Sequence, residues 1–138
     1  MNFHEIPFGK HLQIQDAQAP FLVELADNSI YENHLGTVAA AALFSLAEFA
    51  AGKLLMQSFP EWVDKVIPVL RKADVRFKKP GKGKVRAKAE LLNQDATEIL
   101  NQLKNQGRVL VDVQVAVLDE QNIILMTGTY EWFLALKA

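Results

Sequence analysis

The chain has 138 residues, 15 Lys plus Arg against 16 Asp plus Glu, no cysteine, and 50% apolar residues. That length suits one domain whose core needs no disulfide or metal staple, and the lack of cysteine excludes thiol catalysis, cysteine-ligated zinc and a disulfide framework. A formal net charge of −1 gives no support to a wholesale nucleic-acid binder, and the apolar share excludes a disordered chain.

Taken in chain order, residues 1–11 contain Glu5 and Pro7 and no continuous apolar stretch, so they do not read as a signal peptide. Residues 12–16 and 21–26 read as short strands on either side of Ala17-Gln18-Ala19-Pro20, the second with Phe21, Val23 and Leu25 on one face. Residues 28–36 are polar and turn-rich. Thr37 is the expected N-cap of a helix running to about residue 58, ahead of Pro60. This helix is apolar on nearly every side, and its run 38–51 is broken only by Ser45 and Glu48. The run is shorter than the roughly 20 residues of a membrane span and would place Glu48 near mid-bilayer, so the expectation is a helix surrounded by protein. Downstream the period changes to two. Val75 and Phe77, a turn at Pro80-Gly81-Lys82-Gly83, and Val85, Ala87, Ala89 and Leu91 read as a hairpin. Residues 95–106 read as a short amphipathic helix with Asp95 as N-cap, Glu98 three residues on and Gly107 past its end. Residues 108–119 and 123–133 read as a strand pair around Glu120-Gln121-Asn122. The order gives an α+β fold, an antiparallel sheet on one long helix.

Within this layout, the segment Asn33-His34-Leu35-Gly36-Thr37-Val38-Ala39-Ala40-Ala41-Ala42-Leu43-Phe44-Ser45-Leu46-Ala47-Glu48 resembles the signature of hotdog acyl-CoA thioesterases of the phenylacetate-pathway and 4-hydroxybenzoyl-CoA kind. In that family an Asn or Gln precedes the helix, His-Gly-Gly opens it, and an Asp or Glu follows nine residues after the His, often in Leu-Ala-Asp. Asn33 matches the first position and Leu46-Ala47-Glu48 the last, while Ala39-Ala40-Ala41 stands where the family has His-Gly-Gly. The resemblance implies a single hotdog domain over residues 1–138, an antiparallel sheet wrapped around one long buried helix. It also implies a homodimer or homotetramer with a substrate tunnel between subunits, and thioester hydrolysis of an acyl-CoA.

Hydrolysis of a thioester needs a polarised carbonyl and an activated water or a nucleophilic carboxylate. The amides of the first helical turn, around Ala40, carry the partial positive charge of a helix start and suit an oxyanion. Glu48 is the candidate base or nucleophile, since partial burial raises a carboxyl toward a useful basicity. Asn33 would orient water or the carboxylate; its alternative role is to cap the loop. His34 beside it is a lesser candidate, Ser45 is expected to bond its own helix backbone, and no Gly-x-Ser-x-Gly elbow exists. His4, His11 and His34 share no metal-ligand spacing, so no metal is expected.

Nine of the fifteen basic residues fall between positions 71 and 88: Arg71, Lys72, Arg76, Lys78, Lys79, Lys82, Lys84, Arg86 and Lys88. One reading is the solvated outer face of the hairpin. The other, carried by the resemblance, is a site for coenzyme A phosphates built from Arg76, Lys78, Lys79, Lys82 and Lys84. Only Phe77 interleaves an aromatic with these charges, so no nucleic-acid partner is expected. The expectation is a cytoplasmic acyl-CoA thioesterase with no cofactor beyond the coenzyme A of its substrate, and no membrane partner. The alternatives are a non-catalytic acyl-CoA-binding hotdog and, on a His and acid paired across the tunnel, an enoyl-CoA hydratase or dehydratase.

Overall fold

A 19-residue helix sets the layout. The computed structural model describes residues 3–138, in the order α1 (Pro7–Leu12), β1 (Gln15–Asp16), β2 (Val23–Leu25), α2 (Ala40–Ser58), β3 (Val66–Phe77), β4 (Val85–Leu92), α3 (Ala96–Gln106), β5 (Arg108–Asp119) and β6 (Ile124–Leu136). The six strands form one antiparallel sheet in the order β1-β2-β4-β5-β6-β3. Leu46, Ala47, Ala50, Ala51 and Leu55 of α2 are fully buried, and the alanines let the helix backbone sit close to the sheet. Facing them, the alternation of β5 places Val109, Val111, Val113, Val115 and Val117 inward, each buried valine worth roughly 1.5–3 kcal/mol over an exposed one. Tyr130, Trp132 and Leu134 of β6 continue this inner face. An antiparallel sheet wrapped around one buried helix is the architecture expected of a hotdog.

The short helix forms as its caps dictate. The Asp95 carboxylate accepts the Glu98 amide at 2.8 Å, and Gly107 closes α3 in the left-handed region (φ 76°) with its N–H on the Leu103 carbonyl. Ile99 and Leu103 are buried, so α3 seals one end of the core. No helix of the described residues is long and apolar enough to cross a membrane.

Three expectations are corrected. Residues 12–16 are not one strand: Pro7 opens α1, which takes Leu12 and ends at Gln13 (φ 57°), leaving only Gln15–Asp16 to pair with β2. Thr37 is not the N-cap of α2. Its hydroxyl and amide are bonded to Asn33, and the chain stays extended until Ala39 because Val38 N–H donates to Gly81 and Ala39 N–H to Tyr31. Finally, Val75 and Phe77 form no hairpin with 85–91. They end the long edge strand β3, which pairs with β6 over its whole length, while β4 lies between β2 and β5. Pairing with the 13-residue β6 satisfies far more backbone than a short hairpin would, so residues 78–84 cross the end of the sheet instead of turning back.

Candidate active site

Glu48 is the one acid on α2 and is partly buried, with no ion-pair partner among the described residues. It lines a cleft of about 230 Å³ with Ile6, Phe49, Gly52, Met56, Pro68 and Trp132. Lys53 borders the same cleft, yet its ammonium bonds Asp16 (2.8 Å) and the Leu22 carbonyl (2.9 Å). Burial without a cation pushes the Glu48 carboxyl above its ordinary value. Behind it, the buried Tyr130 hydroxyl donates to the Phe44 carbonyl at 3.0 Å, one turn before Glu48, and its ring lies 5.2 Å from that of Phe44. The Tyr130 phenol is raised in turn, first by burial and then by the Glu48 charge. Trp132 is 7% exposed, and its indole N–H is buried with no acceptor among the described residues.

The cleft exists partly because position 52 carries no side chain. A Cβ there would sit 3.6 Å from the Trp132 ring, an ordinary contact. Gly52→Ala is therefore expected to stabilise the fold by about 0.5–1 kcal/mol, read as a rise in Tm, while narrowing the cleft beside Glu48.

Ala40 lies at the exposed start of α2. Ala39 offers no side-chain cap and the first turn holds no acid, so the Ala40 and Ala41 amides meet no acceptor among the described residues. Asn33 organises the loop leading there. Its Oδ1 accepts the Leu35 amide (2.9 Å) and the Thr37 amide (3.1 Å), and its Nδ2 donates to the Thr37 hydroxyl (2.9 Å). The loop-capping role is thus the observed one. His34 is exposed on this loop, and Ser45 donates to the Ala41 carbonyl at 2.8 Å, as expected of it. At about 1.5 Å per residue, Glu48 stands about 12 Å along α2 from Ala40. One chain therefore does not bring Glu48 together with Ala40 and Asn33.

The basic residues do not form one hairpin face, because β5 and β6 separate β4 from β3. The sheet crossing at 78–84 passes instead over the start of α2, where the Gly81 carbonyl takes the Val38 amide at 2.9 Å. Lys78, Lys79 and Lys82 are exposed on this crossing, and Arg76 is exposed just before it. Lys82 also lines a cleft of about 220 Å³ shared with Tyr31, Glu32, Gly36 and Val38 of the Asn33 loop. Lys84 is neutralised by Glu24 (3.1 Å), and Arg86 stacks 3.9 Å over Phe21 while donating to Asn122 Oδ1. Sequence reasoning missed Tyr130, Trp132 and Gly52. Their only signal was the inward phase of the β6 alternation and a glycine one turn after Glu48. Among the described residues no three His, Asp or Glu side chains converge as a metal site requires.

A long helix enclosed by this strand order, with an acid on its exposed stripe, defines a hotdog-fold protein of the architecture seen in thioesterases. Within that fold the chain belongs to the family described as a domain of unknown function, DUF4442, whose model matches residues 11–134. Solved structures bear out the fold. PA5026 from Pseudomonas aeruginosa, a protein of unknown function described as a probable thioesterase, superposes with a TM-score of 0.81 at 24% identity, over 98% of this chain and 91% of that one. BH2602 from Bacillus halodurans, solved with CoA, gives 0.71 at 21% identity over 92% and 74%. The thioesterase SAV0944 from Staphylococcus aureus, solved as a glutamine-to-alanine mutant, gives 0.66 at 12% identity over 95% and 98%. Comparison with curated proteins finds no match.

Proposed function

We propose that this protein hydrolyses acyl-CoA thioesters as a homodimer, with a site at the junction of two copies. The observation that carries the reading is Glu48, a partly buried carboxylate with no cation, standing in an apolar cleft on the exposed stripe of α2. In the proposed reaction the thioester carbonyl is polarised by the amides of Ala40 and Ala41. Glu48 takes a proton from water, the resulting hydroxide adds to the carbonyl carbon, the C–S bond breaks, and the proton passes to the departing thiolate. Direct attack by the Glu48 carboxylate is the variant of the same site. The 12 Å or so between Glu48 and Ala40 along one helix favours a site in which the acid of one copy meets the helix start of the other. Asn33 shapes the loop that presents those amides, and its Nδ2 keeps one hydrogen for positioning water.

The free edge of β3 suits such a junction. Lys137 N–H donates to Lys65 and Lys78 N–H to Leu125, so the alternation turns the amides of Ala73, Val75 and Phe77 away from β6 and out of the sheet. Pro68, which has no N–H, and the bulge between Leu70 and Lys72 disfavour pairing over the other half of the strand.

In this reading Lys79 and Lys82 of the crossing, with Arg76 and Lys78 just before them, hold the phosphates of coenzyme A; the CoA held by the similar fold of BH2602 supports it. Lys84, spent on Glu24, contributes least. Replacing both Lys79 and Lys82 by Ala is expected to raise KM for acyl-CoA about tenfold with kcat within about twofold, as two charge-assisted contacts are lost. An acyl thioester of a short thiol without the nucleotide should be unaffected, and equal losses on both substrates would remove the phosphate role. The function itself is tested by free-thiol detection over a panel of acyl-CoA esters with wild type and Glu48→Gln. Turnover of no ester, or turnover indifferent to the substitution, sinks it.

A second reading, an acyl-CoA-binding hotdog without turnover, is favoured by Ala39-Ala40-Ala41 in place of His-Gly-Gly. Calorimetric binding of an acyl-CoA that is never hydrolysed would decide for it. The hydratase reading needs a His paired with an acid, and His34 bonds none among the described residues.

A further inference from the structure

The cleft beside Glu48 has a cation at its border that is not paired with the acid. Glu48 and Lys53 stand five positions apart on α2 and line the same cleft, where Glu48 is the one carboxylate and Lys53 the one cation. The other groups around Glu48 bring no charge: Ile6, Phe49, Met56, Pro68 and Trp132 are apolar or uncharged, and Tyr130, which faces Glu48 from β6, is a phenol. An ammonium on a flexible four-carbon stem can enter a cleft it already lines, and the carboxylate would attract it. Among the described residues the two are nevertheless not joined.

What holds them apart is the ribbon of β1 and β2. The Lys53 ammonium donates to Asp16 Oδ1 at 2.8 Å and to the Leu22 carbonyl at 2.9 Å, and its side chain is 19% exposed. Both acceptors are fixed by the backbone. Asp16 is the Cα partner of Val23, while the Leu22 amide donates to the Ala87 carbonyl and the Leu22 carbonyl also takes the Ala17 amide. The second oxygen of Asp16 meets His4 Nε2 at 2.9 Å, so the carboxylate is held at both ends. Its carboxyl lies below the ordinary value, first through the Lys53 bond, with burial opposing and His4 adding to it. An ion pair with so exposed an acid adds little to stability, and its consequence lies in the cleft.

We infer that Asp16 is a positioning residue of the Glu48 site: with the Leu22 carbonyl it keeps the Lys53 ammonium at the border of the cleft and leaves the Glu48 carboxylate without a cation. A carboxylate paired with an ammonium is a poorer base, so the diversion of Lys53 preserves the group that the hydrolysis needs. The value of that base rests on the proposed reaction. The placement of Lys53 does not.

The test is an NMR titration of the Glu48 carboxyl in protein carrying isotope-labelled glutamate, its signal assigned by loss in Glu48→Gln. The variants are Asp16→Asn, Lys53→Met and the two combined, with circular dichroism to confirm that each folds. In the wild type the midpoint is expected above the ordinary 4.5. Asp16→Asn should raise the acid dissociation constant about tenfold or more, bringing the midpoint to 4.5 or below, because the ammonium then moves into the cleft. Lys53→Met should leave the midpoint above 4.5, and the double variant should return it there, since neither has an ammonium to move. A bridge that merely braces the cleft gives a different pattern: broken from either side it admits water, and all three variants fall together. That pattern overturns the inference, as does an Asp16→Asn midpoint equal to that of the wild type or a double variant that stays with Asp16→Asn. In turnover of acyl-CoA, Asp16→Asn should lower kcat/KM at neutral pH about tenfold and move its low-pH limb downward, and the double variant should recover most of that loss. A protein that turns over no ester removes the hydrolysis alone, because the titration needs no substrate and decides the placement of Lys53 by itself.

Discussion

Glu48→Gln is expected to lower thioester hydrolysis by about 10³-fold and, at the same time, to make the folded protein more stable at neutral pH. The first effect is that of removing a general base, worth about 10² to 10⁴ in rate. The second follows from the sign of the shift. Burial raises the Glu48 carboxyl above its ordinary 4.5, so between that value and the higher folded one the native state binds the proton more tightly than the unfolded chain does. Stability therefore falls as pH rises through that window, because ionising the half-buried carboxyl costs more in the folded protein than in the unfolded chain. Glutamine is neutral at every pH and nearly the same shape. It should thus raise Tm at pH 7 and change little at pH 4. The low-pH limb of kcat/KM in the wild type should lie above the ordinary carboxylate range for the same reason. Tyr130 gives an independent readout: the Glu48 charge is the second cause of its raised phenol, so ultraviolet titration of Glu48→Gln should show that phenol ionising at lower pH than in the wild type. A variant inactive but no more stable at pH 7 would mean that the Glu48 carboxylate is well solvated in the folded protein.

What the sequence discloses of this fold is what local chemistry decides. The β5 valines alternate strictly because one face of that strand is sealed against α2 and the other is open. Asp95 and Gly107 mark both ends of α3 because capping is settled within a few residues. Glu48 stands out because an acid in so apolar a helix must meet either a partner or a purpose, and among the described residues it meets no cation. The failures all involve choices made at a distance. Thr37 has the chemistry of an N-cap, but its groups are claimed by Asn33, and the start of α2 is set by the bonds of Val38 and Ala39 to Gly81 and Tyr31. Val75, Phe77 and residues 85–91 alternate correctly, yet alternation says which face a strand buries, not which strand lies beside it. Tyr130 and Trp132 are legible as inward-facing residues. That Trp132 lines the Glu48 cleft, and that Tyr130 bonds the helix turn before it, depends on a helix more than seventy positions earlier.

Gly81→Val is expected to cost about 3 kcal/mol or more and to abolish activity, although the residue carries no chemistry. Gly81 is buried in the crossing between β3 and β4, and a Cβ built there falls well inside contact distance of the Leu125 side chain, 2.9 Å from Cδ2 and closer still to Cδ1. Leu125 is fully buried and held in the core, so it cannot swing clear, and an inserted isopropyl group must push the crossing outward. The crossing is also what ties the Lys79 and Lys82 segment to the helix start, through the Gly81 carbonyl and the Val38 amide. Displacing it frees that amide and shifts the Ala40 amides relative to the lysines, so loss of turnover should accompany loss of stability. Gly36→Ala provides the contrast. Gly36 adopts a left-handed φ of 73° and an added Cβ would meet nothing within 4 Å, so alanine there costs only backbone strain, about 1 kcal/mol. Urea unfolding of the two variants separates crowding from strain. Similar midpoints would show that the crossing can move without consequence, and would detach the basic segment from the helix start it is proposed to serve.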